Sequence, residues 1–192
     1  MMQKNASLSA GRKTISGITL IALFAALTAA GALISIPLPF SPIPVVLQNL
    51  FTILAGLVLG PIGGSLAVAL YLLAGALGAP VFAGASGGFA RFLGPTGGYL
   101  LGYLLSALIA GLIAGRPRAA KPAPVWKIIL ATVLGLISVY IPGILRLKQL
   151  MDLSWSAVFI AGVLPFLAGD AVKGIVAAAI APRLRRIIAE LL

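Results

Sequence analysis

Residues 162–174 read Gly-Val-Leu-Pro-Phe-Leu-Ala-Gly-Asp-Ala-Val-Lys-Gly, an apolar run interrupted by one acid, Asp170, and one base, Lys173. Charges at i and i+3 share a helix face. At membrane depth such residues are rare, face protein or water, and are functional candidates by default. The other reading is an internal ion pair that neutralises itself and only fixes helix packing.

Composition makes the membrane the relevant solvent. The 192 residues are 61% hydrophobic and 9% charged, against about 25% charged in soluble domains. Mean hydropathy is +1.16. One polytopic membrane domain fits the length. Helices in lipid associate through close packing, small residues and a few polar contacts, which suits the 23 glycines. The net charge of +11 does not indicate nucleic acid, because the basic residues are divided among loops and form no basic module. The chain has no Cys and no His, and its acids are Asp152, Asp170 and Glu190. That leaves no thiolate, imidazole or paired-carboxylate chemistry. Neither an enzyme nor a metal site is expected.

Working outward from Asp170, six apolar spans are expected. A polar tail, residues 1–13, precedes span 1, Thr14–Ile36. Within that span Ala22, Ala26 and Ala30 recur every fourth residue, as do Ala25 and Ala29, forming a small-residue surface for close approach by a neighbour in the chain or by a partner. Pro37, Pro39, Pro42 and Pro44 exclude a helix interior and predict a stiff extended loop leading to the amides Gln48 and Asn49. Spans 2 (Pro44–Leu59) and 3 (Ile62–Gly78) flank a tight turn at Gly60-Pro61, and both are short for a crossing. Residues 79–98 are glycine-rich and contain Arg91. A connection of this length is uncommon unless functional, so a lid or cavity wall is expected. Span 4 is Gly97–Gly115, with Tyr99 near its start, and span 5 is Val125–Ile141, closed by Pro142-Gly143. Leu153–Leu164 is too short to cross and is expected at the interface with Trp155. Span 6 runs from Pro165 to Ala181, followed by a basic helical tail, residues 183–192.

Orientation follows from Lys and Arg. With both termini inside, the inner side holds Lys4, Arg12, Lys13, Arg116, Arg118, Lys121, Lys127, Arg183, Arg185 and Arg186, and the outer side Arg91, Arg146 and Lys148. That bias obeys the positive-inside rule. Gln48, Arg91, Tyr99, Asp170 and Lys173 then all fall on the outer side, where they can converge on one cavity. Lys173 near a helix N-terminus is unfavourable with the helix dipole, so it requires an anion, from Asp170 or from a ligand.

Three runs together resemble a known family: IPLPFSPIPVVLQNLFTILAGLVLGPIGG, GAPVFAGASGGFARFLGPTGGYLLGY and GVLPFLAGDAVKG. Their order and separation are similar to those of the BioY family of biotin transporters, the substrate-capture (S) components of energy-coupling factor (ECF) transporters. The resemblance covers residues 14–182. It implies the six-helix S-component fold, all-α, in the cell membrane with cytoplasmic termini. It implies biotin as ligand, with Asp170 and Lys173 of GDxxK binding it and Gln48, Arg91 and Tyr99 as further candidates. It implies docking through the alanines Ala22, Ala25, Ala26 and Ala29 onto a transmembrane coupling protein that carries two ABC ATPases. The chain has no Walker A motif, so ATP would be used by those partners, and no cofactor of its own is implied. Val46 stands where a Thr is expected, and Ala168 where Pro often precedes Gly-Asp. Both bear on loop conformation and affinity. An S component for another small vitamin, or a membrane scaffold without transport, are the competing readings.

Overall fold

The computed structural model describes residues 2–118, 120 and 122–191. Lys121 lies outside the described residues, as do the side chains of Lys4 and Arg12. The described chain is mostly helical, and five helices are long and apolar enough to cross a membrane. The first, α1, runs Met2–Leu33, so helix extends through the stretch read as a tail. Its span-forming part is Lys13–Leu33.

The proline-rich stretch is a β-hairpin, β1 (Ser35–Leu38) and β2 (Ser41–Val46), pairing Ser35 with Val46 and Leu38 with Ser41. A two-stranded ribbon has two edges, where proline's missing N–H is tolerated. Leu47 N then donates to Gly31 O and Ile34 O at 3.1 and 3.2 Å, tying the hairpin's end back to α1. The prolines did exclude helix, as expected, but the loop is an ordered ribbon.

The next element, α2 (Gln48–Ala76), is broken at Gly60, whose φ of 77° and ψ of −175° are not helical. A Cβ on Gly64 would lie 2.6 Å from Gly56 Cα, whereas residues eight apart in a straight helix are about 12 Å apart. The two arms therefore fold back on each other at the predicted Gly60-Pro61 turn. Residues 79–98 contain a bridge between Phe82 and Ser86 and a one-turn helix, α3 (Ala90–Leu93). Helix α4 is Gly97–Ala114, as expected.

Helix α5 departs from expectation. It runs Val125–Met151, straight through Pro142. A proline removes one backbone hydrogen bond, which membrane helices tolerate where neighbours pack closely. Here a Cβ on Gly102 of α4 would meet the Val139 backbone, 2.8 Å from its Cα. Only glycine allows this approach, and α4 supports α5 across the proline. The short α6 (Trp155–Gly162) is capped by the Ser154 side chain, which accepts from Ala157 N. Trp155 is half-exposed. Helix α7 (Leu164–Leu191) continues through Pro182, so the basic segment is helical.

The starts of α2, α4 and α7 share one end with the later turns of α5. An aromatic cluster there includes Tyr71, Phe82, Tyr99, Tyr103 and Phe166. An aliphatic cluster around Ile53, Leu57, Ile128 and Ala177 fills the rest. At the opposite end Arg183 and Arg186 are exposed, but Arg185 is only 6% exposed. It donates to Leu57 O in the first arm of α2, and to Ala114 O (2.9 Å), Gly115 O (3.0 Å) and Arg116 O (3.3 Å). One guanidinium thus satisfies carbonyls that helix C-termini leave unpaired.

The Gly60 turn is testable. Its φ/ψ region is essentially glycine-only, and Gly60→Ala is expected to cost about 1–3 kcal/mol, read as a lowered unfolding midpoint in detergent. Gly11→Ala, in open space on α1, serves as the control and leaves the midpoint unchanged or raised. Equal midpoints for Gly60→Ala and wild type would contradict the strained turn.

Candidate functional site

Asp170 lies in the second turn of α7 and is 8% exposed; Lys173, one turn on, is 9% exposed. They touch: Lys173 Nζ is 2.9 Å from Asp170 Oδ1. This is the one salt bridge among the described residues. The same oxygen accepts from Asn49 Nδ2 of α2 at 2.6 Å, and Oδ2 accepts from the Tyr140 hydroxyl of α5 at 2.6 Å. Three donors from three helices converge on one carboxylate. Burying an ion is costly unless it is paired and hydrogen-bonded, and here both conditions hold. Because the carboxylate needs a donor, the Asn49 amide is oriented with Nδ2 toward it. Asn49 Oδ1 is then a buried acceptor with no hydrogen-bond partner among the described residues.

Gln48, the first residue of α2, is 2% exposed, and its Oε1 accepts from the Tyr71 hydroxyl at 3.3 Å. Tyr99 is buried, and its hydroxyl donates to Gly162 O at 2.8 Å. The phenol is therefore committed to the end of α6, and Tyr99 offers the site its ring. That ring meets Tyr140 edge-on, with centroids 6.4 Å apart.

Two cavities carry these groups. One of about 110 Å³ is lined by Gln48, Phe82, Arg91, Tyr99 and Tyr103, with the β2 prolines Pro42 and Pro44. A smaller one of about 30 Å³ is lined by Asn49, Tyr140, Phe166, Asp170 and Lys173. Both share Ile43, Pro44, Val46, Tyr99 and Tyr103, so they are two lobes of one region under the hairpin. The segment 79–98 forms a wall of the larger lobe through Phe82, Ala83, Ser86 and Arg91. Gln48 and Arg91 thus border one lobe, Asp170 and Lys173 the other, and Tyr99 both. Few fixed polar groups in an apolar concavity are the usual make-up of a small-molecule site.

Asn49, Tyr140, Tyr71 and Tyr103 belong to this region but were not among the predicted site residues. Asn49 had a sequence signal, an amide adjacent to Gln48 at a span's start. Tyr103 had one too, lying one turn after Tyr99. Tyr140 had none beyond being a phenol in an apolar span.

The alanines of α1 divide. Ala22, Ala26 and Ala30 are exposed. Ala25 is buried, and Ala29 packs partly buried against the same aromatic cluster. The two stripes point to different surroundings.

Long apolar helices enclosing one charged, amide- and phenol-lined concavity define a multi-pass membrane protein with an internal polar site. The chain belongs to the BioY family, whose profile matches residues 2–190. It is 45% identical over 168 residues to the probable biotin transporter BioY of Pyrococcus horikoshii, covering 88% of this chain and 95% of that one. It is 42% identical over 168 residues to the biotin transporter BioY of Thermotoga maritima, with the same coverage of 88% and 95%. Its fold is similar to the 2.1 Å crystal structure of the S-component for biotin from an ECF-type ABC transporter. The TM-score is 0.82 and the identity 30%, covering 90% of this chain and 92% of that one. The family is one of transport components, not of enzymes.

The lysine's role as counter-ion is testable without a ligand. Lys173→Met strands a buried carboxylate and is expected to cost about 3–5 kcal/mol, whereas neutralising both partners costs much less. The unfolding midpoint of Lys173→Met should therefore fall below that of the double variant Asp170→Asn/Lys173→Met. Equal midpoints would mean that Lys173 does not neutralise Asp170.

Proposed function

We propose that this protein is the biotin-capturing S component of an ECF transporter. The observation that carries the reading is the Asp170–Lys173 pair at 2.9 Å, set among amide and phenol donors beside an enclosed cavity in a chain of this family. Biotin presents a ureido ring with two N–H donors and a carbonyl, and a carboxylate on an alkyl chain. Asp170 and the unpartnered Asn49 Oδ1 are acceptors for the ureido N–H groups, and Gln48 can both donate and accept. The carboxylate requires a cation, supplied by Lys173 or by Arg91 at the other lobe. Phe82, Tyr99 and Tyr103 flank the bicyclic body.

In this reading biotin takes over part of the contact that Lys173 and Asp170 make with each other. The two lobes are small, and entry requires the hairpin or the 79–98 wall to shift. The β-hairpin and that wall would form the outer lid.

In this reading the two arms of α2 count as separate spans, giving six, with both termini cytoplasmic as the distribution of basic residues requires. The membrane is the cell membrane. The partners are a transmembrane coupling protein and two ABC ATPases that use the ATP, while this subunit carries no cofactor. Docking uses the exposed alanines Ala22 and Ala26; Ala25 and Ala29 support that surface from the chain's own core. Whole-body tilting after docking would release biotin inward.

Radiolabelled biotin binding to the purified protein tests the site. Asp170→Asn and Lys173→Ala should each lose about 2–5 kcal/mol, roughly 30- to several-thousand-fold in affinity. Wild-type binding by both would overturn the assignment. Competition by thiamine, riboflavin or desthiobiotin at equal strength would redirect the substrate.

For docking, Ala22→Trp/Ala26→Trp should bind biotin normally yet lose ATP-driven uptake in cells that supply the coupling module. Undiminished uptake would remove this face of α1 from the interface.

A further inference from the structure

The seam between α5 and α7 is open to the outside along much of its length. An apolar groove of about 540 Å³ runs between them, from Ile129 and Ala178 to Tyr140 and Asp170. Its walls include Val133, Ile137 and Ile175, all large apolar side chains that are about half or more exposed. One helical turn beyond its inner end, at Val125 on α5 and Pro182 on α7, lies a second concavity of about 210 Å³ bordered by Arg118, Arg185 and Arg186. Arg185 is committed to backbone carbonyls. Arg118 and Arg186 are exposed, and neither pairs with an acid among the described residues.

A basic concavity continuing into an apolar groove is amphipathic in one direction. The groove spans twelve residues of α5, a rise of about 16 Å at 1.5 Å per residue, or about one leaflet of a roughly 30 Å hydrocarbon core. Its charged end falls where the helices leave the apolar region. We propose that this seam binds one anionic phospholipid, its phosphate held between Arg118 and Arg186 and one acyl chain lying along the α5–α7 groove. Charge complementarity selects the headgroup, since cationic side chains near a membrane surface favour anionic lipid. The apolar walls select the chain, which packs in the groove on the exposed side of the α5–α7 contact. The far end of that chain lies against Tyr140, beside Asp170.

Native mass spectrometry of the full chain in detergent tests this with three probes: dioleoyl-phosphatidylglycerol, dioleoyl-phosphatidylcholine and glycerol 3-phosphate. One phosphatidylglycerol should be retained, about thirty-fold more strongly than phosphatidylcholine if each arginine contributes as surface cations generally do. Glycerol 3-phosphate alone should not be retained. Arg118→Gln/Arg186→Gln should bring phosphatidylglycerol down to the phosphatidylcholine level, with the unfolding midpoint in lipid-free detergent unchanged. Val133→Trp, which fills the groove, should weaken both lipids. Equal retention of the two lipids by the wild type would overturn the headgroup assignment. Retention of glycerol 3-phosphate as strong as that of phosphatidylglycerol would make this a free-phosphate site. Undiminished lipid retention by Val133→Trp would remove the chain from the groove. The lipid panel on the wild type and the Val133→Trp comparison decide the matter even if the arginine variant fails to fold.

Discussion

The structure depends on one buried carboxylate. Lys173, Asn49 and Tyr140 all donate to Asp170. In a membrane protein the apolar surfaces of helices gain little from leaving lipid, since lipid tails are as apolar as leucine. Polar contacts therefore carry more of the decision about which helix lies where. Three donors on Asp170 bring α2, α5 and α7 to one point. A carboxylate can accept more than three bonds, so these three donors do not exhaust Asp170.

The second fixed point is at the other end of the same helix. Arg185 joins α7 to the first arm of α2 and to the end of α4 through backbone carbonyls. Helix α7 is thus pinned by a carboxylate near its start and by a guanidinium near its end. Between them Gly174 packs against Leu136 and Thr132 of α5, and the apolar groove lies beside that contact. Polar contacts fix both ends of α7, and glycine-mediated packing joins α1 to α2, α2 to α4, α4 to α5 and α7 to α5.

Much of this was legible from residues alone. The break at Gly60-Pro61 and the start of α4 at Gly97 follow from glycine and proline chemistry, which acts locally. The same local reasoning misjudged Pro142. It would end a helix in water, but here α4 packs against α5 through Gly98 and Gly102, and the helix runs on. Arg185 was read with its neighbours as part of a basic tail, because charge counts do not show which arginine of a cluster turns toward unpaired carbonyls. Gln48, Arg91, Tyr99, Asp170 and Lys173 do border one region, yet the phenol of Tyr99 is spent on Gly162 O, which no spacing foretells.

The sequence by itself determined the solvent and that Asp170 and Lys173 share one helix face, since residues three apart lie about one turn from each other. It also carried the family resemblance, because motif order survives without coordinates. Only the tertiary structure decided that Lys173 does meet Asp170, which amide and which phenol complete the carboxylate's shell, and which alanine stripe of α1 faces outward. Asn49 and Tyr140 reach Asp170 across separations of 121 and 30 residues. Helical periodicity specifies a face but not the rotation and offset of one helix against another. Those are set by the packing of glycines and the few polar contacts that a membrane interior makes expensive to leave unmade.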